Sequence, residues 1–141
     1  QIRSVDASIR GLILTSFDDD QALTAAGLAG ASGYLLKDIR GGDLVDTIEN
    51  VGPVDVFVLT ETLEHLPDPA AVLAGIQADV LVLSTPVEAW DDREPQHLWA
   101  WDRQWVSVLA AAVGWSERRC VEFDGTVMGD WYRYGIWVLL Q

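Results

Sequence analysis

The chain has 141 residues, half of them hydrophobic, with 22 acidic against 9 basic side chains and a formal net charge of −13. That length suits one domain with a core of its own, and no apolar run reaches the ~18 residues of a membrane span. Lys37 is the only lysine, so no basic stripe exists for nucleic acid or an anionic membrane, and the excess acid serves solubility.

Residues 11–15 (GLILT), a short apolar run between polar neighbours, read as a first buried parallel strand. Asp18, Asp19 and Asp20 then open a helix with an apolar face of Ala22, Leu23, Ala25, Ala26 and Ala29. The acids suit its N-terminus, and Gly30 ends it. Residues 33–37 (GYLLK) form a second strand. Residues 42–51 form a second helix, with Leu44, Val45, Ile48 and Val51 on one side. The third strand is 54–60 (VDVFVLT), and Asp68-Pro69 begins a third helix carrying Val72, Leu73 and Ile76. A fourth strand follows at 80–84 (VLVLS), then a polar, turn-rich stretch over 86–98.

Asp102 caps a helix with Trp105, Val106, Leu109, Ala112 and Val113 along one face, closed by Gly114-Trp115. Residues 119–123 and 134–140 are two further strands with no helix between them, which predicts an antiparallel edge hairpin. Strands alternating with helices point to a single α/β domain over 1–141. Cys120, the single cysteine, excludes an internal disulfide framework and suits a reducing, cytoplasmic compartment. The start, Gln1-Ile2-Arg3-Ser4, has neither the regions of a signal peptide nor a Met, which leads us to expect a piece trimmed from something longer.

Residues 12–38 read LILTSFDDDQALTAAGLAGASGYLLKD, with AGASGYLLKD at a set distance after ILTS. On these motifs residues 1–52 resemble the C-terminal half of a bacterial response-regulator receiver domain, a flavodoxin-like fold. The resemblance implies a switch hydroxyl at Thr15, a phosphoryl contact at Lys37 and a switch aromatic at Tyr34. The receiver's first three strands, with the acidic pair and phosphoacceptor Asp, are missing from the chain, and Thr60 stands where that Asp would align. Phosphoryl transfer needs the carboxylate and a metal held beside it, so no phosphorylation response is expected.

Residues 53–141 carry VDVFVLTETLEHLPDP (54–69), VLVLSTP (80–86), HLWAWDRQWVSVLAAAVGW (97–115) and a terminal RYGIWVLL. They resemble the C-terminal half of class I S-adenosylmethionine-dependent methyltransferases. The first motif is then that fold's fourth strand, with an acid-bearing loop beside the cofactor. The family's Gly-rich turn, which lets backbone approach the cofactor's methionine portion, is replaced here by Ser16-Phe17-Asp18-Asp19-Asp20. Asp38 lies at the strand end where this fold's acid reaches a ribose hydroxyl. The implied cofactor positions are thus Asp38, Thr60, Glu61, Ser16 and Phe17, in vestigial form.

Glu64-His65 on a helical turn is compatible with acid/base chemistry, but also with local capping or packing. His65 and His97 have no other clustered donors in the sequence, so no metal site is expected. The seven tryptophans, all from Trp90 onward, are expected in core and edge packing rather than on a stacking surface.

Both resembled folds reverse their strand order at a switch point. This predicts a three-layer, doubly wound, mainly parallel sheet of order 2-1-3-4-6-5 with strand 6 antiparallel. Its crevice lies near Ser16, Phe17, Thr60 and Glu61. The functional expectation is a non-catalytic chimera, engineered or recombined, whose purpose is the fold itself. It has no catalytic residue, no cofactor, and no nucleic-acid, membrane or known small-molecule partner, and it is monomeric. One alternative is a divergent methyltransferase that binds S-adenosylmethionine through Asp38 and the strand-3 loop; another is a receiver-like interaction module. Against the methyltransferase stands charge. Two like charges ~4 Å apart at an effective dielectric of 20 repel by about 4 kcal/mol, so binding weaker by roughly three decades is expected.

Overall fold

Short runs of Val, Ile and Leu become strands here, and their register sorts the resulting sheet into two unlike faces. The computed structural model describes residues 8–15, 20–28, 30–36, 41–128 and 131–141. The strands are β1 (Gly11–Thr15), β2 (Gly33–Leu36), β3 (Val54–Thr60), β4 (Ala78–Val87), β5 (Ser116–Asp124) and β6 (Arg133–Leu140). The helices are α1 (Asp20–Leu28), α2 (Gly41–Val51), α3 (Pro69–Gly75) and α4 (Arg103–Ala112). One six-stranded sheet runs β2-β1-β3-β4-β6-β5, parallel from β2 to β4, with β6 antiparallel to both its neighbours. The order is the one the sequence predicts. Among the described residues no helix is long and apolar enough to cross a membrane.

Two rows of partners cross the sheet on one face: Leu12, Phe57, Leu81 and Leu139, then Leu14, Leu59, Leu83 and Trp137. All eight are buried, together with Leu44 and Ile48 of α2, Val72 and Leu73 of α3, and Val106 and Ala110 of α4. α2 packs on α3 and α3 on α4, so three helices roof this face side by side. On the opposite face the row Ile13, Val58, Val82 and Val138 stays half-buried. Right-handed crossovers whose direction reverses at β1 put α1 alone on that side among the described helices.

Two indoles fasten the roof. Trp137 lies over Gly135, where a β-carbon would collide with its ring, and its Nε1–H donates to Ser107 Oγ of α4 at 3.3 Å. Trp115, directly after α4, donates Nε1–H to the Leu73 carbonyl of α3 at 3.0 Å. Asp68 Oδ1 accepts from the Ala71 amide at 2.9 Å and Asp102 Oδ1 from the Trp105 amide at 2.7 Å, both as N-caps. α4 stops at Gly114, whose φ of +98° is open to glycine.

The structure corrects three details. β4 extends past residues 80–84 in both directions, because β3 pairs with it from Ala78 and β6 as far as Val87. Pro86 is tolerated because pairing with β3 ends at Thr60–Ser84, so no ladder partner on that side needs its N–H. β5 likewise starts at Ser116, with an irregularity between Glu117 and Arg119. Finally, only Trp101, Trp115 and Trp137 are core residues; Trp90, Trp99, Trp105 and Trp131 are largely exposed. On α4 the buried positions are Val106 and Ala110, with Trp105 turned to solvent.

The unlike faces generate a paired prediction. Leu83→Ala, under the helices, should cost about 2–5 kcal/mol in denaturant unfolding. Its neighbour Val82→Ala, on the open face, should cost about 1 kcal/mol. Equal losses would refute the one-sided core.

Candidate functional site

The winding direction reverses between β1 and β3, and open α/β sheets bind ligands at the strand carboxyl ends of such a point. Three hydroxyls stand there in register: Thr15 on β1, Thr60 on β3 and Ser84 on β4. Glu61 follows with φ of +48°, a left-handed conformation that costs a residue with a β-carbon about 1–3 kcal/mol. It is held by its own amide, which donates to the Ser84 carbonyl at 3.1 Å, and by Ser84 Oγ, which donates to Glu61 Oε1 at 2.6 Å. Thr62 Oγ1 donates back to the Thr60 carbonyl at 2.8 Å, completing the turn. Of the sequence-predicted positions, Thr60 and Glu61 meet at this crevice. Ser16, Phe17 and Asp38 lie outside the described residues, as does Lys37.

Beyond that turn, a single 3-10 turn (Leu63–His65) drives Glu64 into the interior, where it is 2% exposed. Its Oε2 accepts from Thr85 Oγ1 of β4 at 2.8 Å, and Oε1 lies 3.4 Å from His65 Nε2. The Glu64 carbonyl accepts from the amides of Leu98 and Trp99 at 2.8 and 3.2 Å. Trp99 Nε1–H donates to the Leu66 carbonyl at 2.7 Å. The 88–102 connection is thereby hooked onto the turn, bringing His97 against His65 with ring centroids 4.6 Å apart, edge to face. His65 Nδ1 contacts the Gln96 carbonyl at 3.0 Å, and His97 Nδ1 contacts Asp92 Oδ2. Asp92 Oδ1 accepts from Tyr132 Oη at 2.7 Å and from the Glu94 amide at 2.9 Å.

This corrects the sequence expectation that the two histidines stand apart from other donors. Nothing in their spacing reveals the meeting, because β4 and the long connection separate them in the chain. The sequence shows only that Glu64 and His65 stand together between Leu63 and Leu66. Burial pushes the Asp92 carboxyl up, but hydrogen bonds from the Glu94 amide, Tyr132 and His97, with the charge of His97, outweigh it. The carboxyl ends below its ordinary value. Tyr132 also lines an open pocket of about 320 Å³ with Val87, Glu88, Asp91, Trp131 and Arg133.

No family model matches the chain. It is 52% identical over 44 residues to the DNA-binding transcriptional activator DevR/DosR of Mycobacterium tuberculosis. That stretch is 31% of this chain, and the chain spans only 20% of DevR/DosR. The fold, in contrast, is shared along nearly the whole chain. A 1,6-didemethyltoxoflavin-N1-methyltransferase of Burkholderia thailandensis, solved with S-adenosylhomocysteine, matches at TM-score 0.68 and 9% identity, over 99% of this chain and 74% of its own. Magnesium protoporphyrin IX methyltransferase of Synechocystis, also with S-adenosylhomocysteine, gives TM-score 0.64 and 14% identity over 99% and 78%. The [4+2]-cyclase SpnF gives 0.64 and 11% over 94% and 75%.

These matches overturn the expectation of a non-catalytic chimera without a cofactor. The shared fold runs unbroken across Gly52-Pro53, so the meeting point of the two sequence resemblances is no boundary in the sheet. Proteins of this architecture were solved with the methyl donor's product in place. Ser16–Asp20 is a local departure in sequence from the Gly-rich turn, set against a topology shared along nearly the whole chain. A receiver-derived origin for the first part has only the short DevR/DosR match behind it.

The Asp92 network carries a pH prediction. A carboxyl held below its ordinary value of 3.8 lends stability that is present above that value and fades as pH falls through the folded one. In EDTA, Asp92→Asn should therefore lower the urea midpoint at pH 7, and the gap from the unaltered chain should shrink at about pH 3. A gap that is constant or grows towards acid would contradict this.

Proposed function

We propose that the chain is an S-adenosylmethionine-binding domain of the class I methyltransferase type, divergent in its first turn, acting on a small molecule. The observation that supports it best is the 2-1-3-4-6-5 sheet with hydroxyls and an acid gathered at its switch point, on a fold shared with S-adenosylhomocysteine-bound enzymes. The donor set fits the group: Thr15, Thr60 and Glu61 offer oxygen acceptors to a ligand bearing ribose hydroxyls, amines and a sulfonium charge. When bound, the cofactor supplies an electrophilic methyl group. Thr60 and Glu61 bind and orient it from β3. On this reading Asp38 takes a ribose hydroxyl, and Ser16 and Phe17 flank the methionine portion. A net charge of −13 supports a small acceptor over nucleic acid, and lone Cys120 supports a reducing compartment such as the cytoplasm.

Titration calorimetry with S-adenosylmethionine and S-adenosylhomocysteine tests the proposal. Micromolar binding is expected, weakened at least tenfold by Glu61→Ala and strengthened when Phe17 and Asp19 are changed to glycine. No heat at millimolar ligand, with the folded state verified, would sink it.

We also infer that residues 1–141 are one cooperative unit. Removing 1–52 strips β1 and β2 and bares β3, an interior strand, as a sheet edge. Fragments cut near Gly52 should be unfolded or aggregate when expressed alone. A sharp thermal transition in either one would overturn the inference.

A further inference from the structure

We propose that Glu64, His65 and His97 form a binding site for a divalent first-row transition ion, independent of the cofactor reading. One ligand atom from each residue lies within 4.8 Å of the other two. A tetrahedral ion with bonds of about 2.0–2.1 Å holds its ligand atoms roughly 3.3 Å apart. Glu64 Oε1 and His65 Nε2, at 3.4 Å, already have that spacing.

Each ligand is also held from behind, as metal ligands are. The Gln96 carbonyl can only accept, so His65 Nδ1 carries the proton and Nε2 is the nitrogen turned towards Glu64. Ionised Asp92 likewise accepts from His97 Nδ1, leaving Nε2 to offer a lone pair. Asp92 is itself fixed by Tyr132 and the Glu94 amide. Glu64 has its second oxygen taken by Thr85. Carboxylate or carbonyl behind imidazole, and hydroxyl behind carboxylate, set the tautomer and orientation a metal needs.

The setting agrees with the donor set. Glu64 is almost wholly buried and the histidine side chains are 14% and 13% exposed, which limits competing water yet leaves access. Two imidazoles with one carboxylate favour zinc, cobalt, manganese or iron(II) over magnesium or calcium, which prefer oxygen. Three protein ligands leave a position open for water or a substrate oxygen, the arrangement of reactive rather than structural sites. The pocket lined by Tyr132 adjoins this network through Asp92.

The test uses the untagged full chain, stripped with EDTA and dialysed. Zn²⁺ is titrated against a chromophoric chelator, and Co²⁺ is followed by its visible absorption. One ion per chain with micromolar or tighter affinity is expected, and Mg²⁺ should bind more weakly than Mn²⁺ or Co²⁺. His97→Asn and Glu64→Gln should each weaken Zn²⁺ at least tenfold, and Asp92→Asn about 10–100-fold through loss of the supporting hydrogen bond. Zn²⁺ should also raise the thermal midpoint of the unaltered chain, a readout that holds even if a variant fails to fold. Failure of the unaltered chain to bind any of these ions at 100-fold above micromolar, or undiminished affinity in folded His97→Asn, would overturn the proposal. S-adenosylmethionine binding is scored separately, so either reading can fail alone.

Discussion

The parallel pairing of β1 with β3 is the constraint from which the rest of the molecule is built. It aligns Leu12 with Phe57 and Leu14 with Leu59, so the buried rows run straight from β1 to β6. The same register brings Thr15 beside Thr60, and through β4 beside Ser84, at the end where the chain reverses its winding. A slip of β1 by one residue would turn Leu12 and Leu14 outward and take Thr15 out of line with Thr60. Core and site are two readings of one register.

Glu64 is the second fixed point. A carboxylate taken out of water costs several kcal/mol unless its oxygens find partners. Thr85 supplies one to Oε2, while the main chain of the same residue anchors Leu98 and Trp99. Satisfying one buried group therefore shapes the long connection after β4, and that connection delivers Asp92 and His97. Glu61, three residues earlier, makes the turn possible by accepting a left-handed backbone that Ser84 holds from two sides.

Features written in local chemistry were legible in the sequence. Apolar runs marked β1 and β3 to the residue, and Asp68 and Asp102 announced their helices through side chains that cap. Strand order followed from resemblance together with crossover handedness. What local pattern could not show was length and partnership. The ends of β4 depend on how far β3 and β6 run beside it, and the exposure of Trp105 depends on where α4 meets the sheet. The meeting of His65 with His97 depends on the hook at Glu64. Function is poorly legible in the sequence for a related reason. The turn after β1 departs from the expected glycines, and a conclusion drawn from that segment alone could not weigh the topology of the other strands.

The pairing of β1 with β3 also has a kinetic side. The two strands are separated in the chain by α1, β2 and α2, so their union closes a long loop before any contact rewards it. The β5–β6 hairpin and the β3–α3–β4 unit close far shorter ones. Folding should thus begin in the later part of the chain, with β1 and β2 docking last and limiting the rate. On the ribosome the order of appearance is the reverse: the strands that dock last emerge first. They must wait for β3, and that interval is when this protein has most need of a chaperone's shelter.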